Sequence, residues 1–202
     1  MIEENTEEKI IRAAEKVFIE KGMAAARMQE IADEAGINKA LLHYYYRSKE
    51  KLFSMVFQLA FKTFAPNILM AFEGTDDLFV KIERFVFAYL TTIEKNPHIP
   101  GFVISELSNN PDRLVTTIGY LNIDIQAVFN AIEVEVKKKT IIPIEPSDLI
   151  INVLALCIFP IIAKPMVKGI IFQGSEVEYK NMIERRKKEV AQFVISAIKI
   201  KD

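Results

Sequence analysis

The sequence predicts an all-α protein, and three observations carry that prediction. Gly and Pro number only 7 and 8 in 202 residues, too few to punctuate a sheet protein. Apolar residues recur at spacings of three and four through almost every segment, the period of an amphipathic helix. Most of those segments open on Asn, Ser or Asp, and several close on Gly, the usual start and stop signals of helices. The length suits one or two small domains, and a hydrophobic content of 50% is that of a soluble globular protein. A formal net charge of −1 gives no bulk bias toward nucleic acid. One cysteine, Cys157, cannot close an intrachain disulfide, and with two histidines it makes no zinc-type cluster. That points to the cytoplasm and to no metal or cofactor. The acidic start MIEENTEEKI does not read as a signal peptide.

The first helix is expected over residues 6–21. Asn5 caps it, Glu8 completes the capping box, Ile10, Ile11, Ala14, Val17 and Phe18 form its apolar face, and Gly22 stops it. The second, residues 27–34, buries Met28, Ile31, Ala32 and Ala35. Gly36 supplies the positive φ of a sharp turn, and Ile37 plugs the angle. Asn38 caps a very short third helix, residues 39–44, with Leu42 inward and Lys39, Leu41, His43 and Tyr44 outward. Ser48 caps a fourth, residues 49–72, in which Pro66 predicts a kink. Thr75-Asp76-Asp77 opens a fifth that runs to Lys95. A proline-rich link, residues 96–100, leads to a short sixth helix, 102–108. Asn110-Pro111-Asp112 starts a seventh that runs to Lys139. The β-branched stretch 140–145 is too isolated for a sheet. An eighth helix from Pro146 is apolar on every side over residues 149–163 and needs cover on every side, part of it from a second subunit. Pro160 and Pro165 are expected to kink or split it. This run of 15 residues contains Asn152 and Pro160 and falls short of the about 20 apolar residues of a membrane span. The ninth opens with a capping box at Ser175 and Glu178 and carries the stripe Val190, Phe193, Val194, Ala197 and Ile198.

Function concentrates in residues 30–50, EIADEAGINKALLHYYYRSKE. Two short helices joined steeply by Ala35-Gly36-Ile37 make a helix-turn-helix. The second helix of such a unit fits the major groove of DNA. Over residues 36–51 four cations (Lys39, Arg47, Lys49, Lys51) face one acid, Glu50, whereas over residues 1–53 nine cations meet ten acids. Positive charge is confined to the reading edge. Each subunit neutralises few phosphates, so useful affinity requires two.

On these residues the chain resembles the TetR family of bacterial repressors. The resemblance runs over residues 9–53 and rests on the first-helix pattern, Ile31-Ala32, Ala35-Gly36-Ile37, Leu42 and Ser48-Lys49-Glu50. It implies that the third helix enters the groove, with Asn38, Lys39, Leu41, His43 and Tyr44 as contacts. Lys49 is similar to the family's phosphate-contacting lysine. Two departures stand out. The family's Thr followed by Ser or Thr is Ala26-Arg27 here, which removes a helix cap worth about 1 kcal/mol and leaves Arg27 to meet the phosphate by charge. The family's Gly and Tyr in the third helix are Ala40 and His43, with Tyr44 next to the latter. The resemblance further implies an effector pocket in the helical body. Its candidates are Phe61, Phe64, Phe85, Tyr89, Phe102, Ser105, Glu106 and Tyr120.

The expected organisation is a DNA-binding domain over residues 1–48 and a helical effector-binding and dimerisation domain over 49–202, about nine helices in all. The expected function is a homodimeric repressor, paired through helices near 146–172 and 175–200 and released from a palindromic double-stranded operator by a small lipophilic effector. It is not expected to meet a membrane. An all-helical enzyme or small-molecule binder is the alternative, but no nucleophile–base pair or cofactor loop is visible. A third reading is a helical dimer acting through protein contacts. His98 reads as a loop residue, Cys157 as a buried small hydrophobe, and the basic runs 137–139 and 185–188 as solvated helix faces.

Overall fold

The computed structural model describes residues 5–72, 74, 76–96, 99–109, 111–119 and 124–200; side chains are described there except at 61–69, 102, 105–106, 109, 113–114 and 117–118. The helices are α1 (Thr6–Ala25), α2 (Met28–Glu34), α3 (Lys39–Tyr45), α4 (Lys49–Leu69), α5 (Leu78–Lys95), α6 (Ile99–Asn109), α7 (Pro111–Gly119), α8 (Ile125–Lys137), α9 (Pro146–Ile162), α10 (Lys164–Met166) and α11 (Glu176–Ile198). The all-α expectation holds. Among the described residues the only β feature is an isolated antiparallel bridge between Ile141 and Lys199. The stretch predicted to be too isolated for a sheet therefore clips the end of α11 and goes no further.

Two compact units form, Met1–Thr63 with Gly101–Leu121, and Phe64–Pro100 with Asn122–Asp202. In the first, Asn5 caps α1 through its side chain on the Glu7 N–H, and Glu8 returns the bond, as the capping box predicts. Gly22 adopts φ 71° and interrupts the helix where the sequence placed its stop, but a further turn carries α1 to Ala25. The core is built from the predicted face of α1 (Ile10, Ala14, Val17, Phe18), from Ile31 and Ala32 of α2, Leu42 of α3, and Leu52, Phe53, Val56 and Phe57 of α4. Phe18 meets Phe53 edge to face, with ring centroids 5.0 Å apart.

In the second unit α5 lies along α11 and also touches α8 and α9. Asp77 caps α5 and Ser175 caps α11. The seventh predicted helix is two helices, α7 and α8, each with its own start; residues 120–123 lie outside the described set. Pro66 does not end α4, which continues to Leu69 before one 3-10 turn, Met70–Phe72. α9 likewise runs through Pro160 to Ile162. The break falls at Ala163, and the Pro146–Ile162 and Lys164–Ile171 segments bend by 62°. No single helix among the described residues is long and apolar enough to cross a membrane.

The basic run at 185–188 is a correction to the sequence reading. Arg185 and Lys188 are exposed, but Arg186 and Lys187 turn into the unit. Lys187 meets Glu94 at 2.8 Å. Arg186 Nη2 donates to the Leu156 carbonyl at 2.6 Å. In a helix that carbonyl would accept from the N–H four residues on, which is residue 160, and Pro160 has none. The proline leaves an orphan acceptor on α9, and an arginine of α11 fills it.

Candidate functional site

The turn of the helix-turn-helix closes through two bonds. The Ile37 N–H donates to the Ala32 carbonyl at 3.0 Å and the Gly36 N–H to Asp33 at 3.1 Å, the paired arrangement of a left-handed helix cap. Gly36 carries φ 66°, the conformation that favours glycine. α3 then starts at once, capped by the Asn38 carboxamide oxygen, which accepts from the Leu41 N–H at 2.8 Å. Leu42 is fully buried, and this fixes how α3 is rotated. Tyr44 is left 80% exposed and Leu41 36%, with Lys39, Ala40 and His43 also exposed. Tyr46, beyond the helix, turns in and donates its hydroxyl to Glu7 at 2.9 Å. Burial, then the Glu7 charge beside it, raises the Tyr46 pKa above the ordinary phenol value.

Charge is sorted by pairing. Lys16 and Lys21 of α1 are held by Glu34 and Glu30 of α2 at 2.7 and 3.0 Å. The Lys21 ammonium, and after it the Arg27 N–H, hold the Glu30 carboxyl below its usual pKa. That N–H donates to Glu30 Oε2 at 3.1 Å, so half of a capping box survives at α2 although Arg27 itself cannot cap. Arg27, Lys39, Arg47 and Lys51 form no ion pair with any described residue. The acids of α2 thus neutralise α1, and the cations on either side of the turn stay available.

Lys49 is half-buried. Its ammonium donates to the carbonyls of Ala24 at 3.1 Å and Ala26 at 2.9 Å. It satisfies acceptors that the end of α1 leaves without helical partners, and it ties that end to the start of α4. Three donors sit on an ammonium, so two are committed within the unit.

In the second unit a cavity of about 210 Å³ is walled by Phe72, α5 (Leu78, Ile82, Phe85, Tyr89), α8 (Ile125, Val128, Ile132) and α9 (Leu149, Ile150, Val153, Leu154). Phe85 stacks on Tyr89 with centroids 5.6 Å apart. Among the described residues, Tyr89 is the one lining residue with a polar side-chain atom, but the surface of the cavity itself is apolar. Burial keeps the Tyr89 pKa above the ordinary phenol value, so it is a neutral donor. Beside it Cys157 is fully buried, and burial pushes its thiol up to about 12, against the opposing pull of Arg186. At neutral pH it is an inert thiol rather than a nucleophile.

Residues 10–56, which hold α2, the turn and α3, match the model of the bacterial regulatory proteins, tetR family. Over that segment the chain is similar to the tetR family of bacterial regulatory proteins. The chain is 33% identical over 85 residues to the HTH-type transcriptional activator FasR of Mycolicibacterium smegmatis, covering 42% of the chain and 39% of FasR. It is 29% identical over 106 residues to IcaR of Staphylococcus aureus, the HTH-type negative transcriptional regulator of the biofilm operon icaADBC, covering 52% and 55%. The chain therefore spans about half or less of the length of these curated relatives. The structure of AibR in complex with isovaleryl coenzyme A and operator DNA shares the fold, with a TM-score of 0.66 over 78% of the chain and 86% of AibR at 13% identity.

The sequence-derived residues of the candidate reader sit together in the first unit. Lys39, Leu41, His43 and Tyr44 are all exposed on α3, with Tyr44 farthest from the core and Lys39 nearest it, Asn38 caps the helix, and Arg27 and Lys49 flank it at the starts of α2 and α4. Of the pocket candidates, Phe85 and Tyr89 line the cavity. The side chains of Phe61, Phe64, Phe102, Ser105 and Glu106, and residue Tyr120, lie outside the described residues. Most of the cavity wall is aliphatic, and the aromatic count missed it. Its signal was present as Leu78, Ile82, Phe85 and Tyr89 at steps of four, three and four along α5. Lys49→Met is expected to cost about 1–2 kcal/mol by freeing the two α1 carbonyls. Hydrogen exchange should then speed up at the Ala26 to Met28 amides. Wild-type stability and exchange in the variant would show that the ammonium has no such bracing role.

Proposed function

We propose that this chain is a homodimeric DNA-binding transcription regulator, a repressor that a small apolar effector releases from a palindromic operator. The observation that carries the reading is the α2–α3 helix-turn-helix within the matched segment, with cations on both sides of it in the sequence that form no ion pair among the described residues. In this reading residues 1–48 are the reader, and 49–202 bind effector and dimerise. Lys39, Leu41, His43 and Tyr44 meet bases, Arg27 and the remaining Lys49 donor meet phosphates, and Asn38 holds the helix that presents them. Regulation rather than catalysis, in the cytoplasm, is part of this reading, and the named relatives, both transcription regulators, support the regulatory role.

α9 and α11 serve the dimer. Ile151, Phe159 and Ile162 lie exposed on one side of α9, and Phe193 is exposed on α11. A second copy covers them in a four-helix interface. That pairing sets the two α3 copies about 34–36 Å apart, one turn of a near-palindromic duplex. The cavity supports the effector class. It has no charged wall and an apolar surface, so a charged ligand would be buried unpaired, whereas a neutral apolar molecule gains burial. Its volume of about 210 Å³ exceeds the about 150 Å³ of a cavity that takes benzene and stays below the about 300 Å³ where drug-sized pockets begin. Occupancy shifts the DNA-binding equilibrium only as far as the effector prefers one state.

Selection of random duplexes by the purified protein is expected to enrich a palindrome. Affinity for it should fall steeply with salt, and Arg27→Ala should make that dependence shallower, by about one in slope per phosphate that Arg27 neutralises. No preference over random duplex at moderate salt would overturn the reading.

A further inference from the structure

The outer side of α3 is short of groups that read bases by paired hydrogen bonds. Successive residues turn by about 100°. With Leu42 and Tyr46 buried, Ala40 and Tyr44 occupy the opposite side, Leu41 and His43 its two borders, and Lys39 lies back toward the core. The helix KALLHYY contains no Arg, Asn or Gln. The neighbouring Asn38 has its carbonyl oxygen engaged on the Leu41 N–H. The paired contacts that single out adenine, which come from Asn or Gln, are therefore missing, and Lys39 is the one α3 residue of the kind that pairs with guanine. What α3 offers in quantity is apolar surface, from Ala40, Leu41 and a Tyr44 that is 80% exposed. Leu41 and Tyr44 are three apart and adjacent on the helix surface. Among the four bases only thymine presents an apolar group, its 5-methyl, in the major groove.

Resting on the regulator reading above, we infer that Leu41 and Tyr44 are specificity-determining residues that read thymine 5-methyl groups. The operator half-site therefore carries A·T pairs where these side chains reach. The occupant is double-stranded DNA rather than a protein, because Arg27, Lys39, Arg47 and Lys51 surround this segment in the sequence and form no ion pair among the described residues.

The test uses full-length protein and the duplex it selects. Each half-site thymine is replaced in turn by deoxyuridine, which lacks only the methyl. One or two positions should weaken binding about fourfold per half-site, and about fifteenfold with both half-sites replaced. At each such position the penalty should vanish in Leu41→Ala or in Tyr44→Ala, both surface substitutions that leave the fold intact. Unchanged affinity at every replaced thymine overturns the inference, as does a penalty that persists undiminished in both variants. Failure to select any duplex overturns the regulator reading instead, so the two failures are distinct.

Discussion

Leu42→Ala should destabilise the DNA-reading unit by about 2–5 kcal/mol, the cost of a leucine-sized void in a packed core. Leu42 has no exposed surface, and it is the one fully buried side chain that α3 places among Phe18, Ile31 and Phe53. α3 has seven residues and cannot hold itself together without that contact. Domains of this class have about 5–15 kcal/mol in all, so the variant should leave α3 frayed or the unit unfolded at ordinary temperatures. Urea unfolding followed by circular dichroism should show an early transition, and selective DNA binding should disappear. Leu41→Ala is the control. It removes the same number of atoms one residue earlier, from a side chain that is 36% exposed, and should stay within about 0.5 kcal/mol of the parent. Equal losses in the two variants would mean that α3 is rotated differently from the arrangement described.

That contrast also marks what the sequence made legible. Leu42 inward and Tyr44 outward follow from the helical period together with the Gly36 turn and the Asn38 cap, which are local signals. Asn5, Ser48 and Ser175 were readable as caps for the same reason: the donors they satisfy lie two or three residues away. At α5 the stretch Thr75-Asp76-Asp77 was read as a cap followed by two acids, and the cap is the last of them, Asp77. The partners of Lys49 were not readable, because Ala24 and Ala26 are brought to it only by the packing of α1 against the start of α4. A lysine at a helix start looks the same whether it faces a phosphate or two carbonyls. The cavity was half legible. Aromatic content located Phe85 and Tyr89, whereas Ile82, Val128 and Val153 belong to stripes that any core helix shows. Arg186 was misread because four consecutive basic residues suggest one solvated surface. On a helix they spread around the axis, and Arg186 falls between Ile183 and Val190 on the buried stripe.

Arg186→Met should cost about 1.5–3 kcal/mol, the range for a hydrogen bond to a charged donor, and Pro160→Ala should restore most of it. The methionine approximates the stem of the arginine, so packing along α11 is largely kept. What disappears is the donor on the Leu156 carbonyl, 2.6 Å away. That carbonyl then has no partner, because Pro160 presents no N–H four residues on. An alanine at 160 supplies the N–H within α9 itself, and the orphan is satisfied whether or not Arg186 is present. In the Pro160→Ala background the arginine substitution should therefore be nearly neutral, and a double-mutant cycle on urea midpoints measures the difference as a coupling. An undiminished loss in that background would place the value of Arg186 elsewhere, in its packing or in its buried Nε–H, which has no acceptor among the described residues. A large coupling would identify Pro160 and Arg186 as one device that fastens α9 to α11. The turns just before Pro160 wall the cavity with Val153 and Leu154, so a ligand that displaces α9 must work against that fastening. Arg186→Met should then lower the barrier to any effector-driven shift even where it leaves the cavity unchanged.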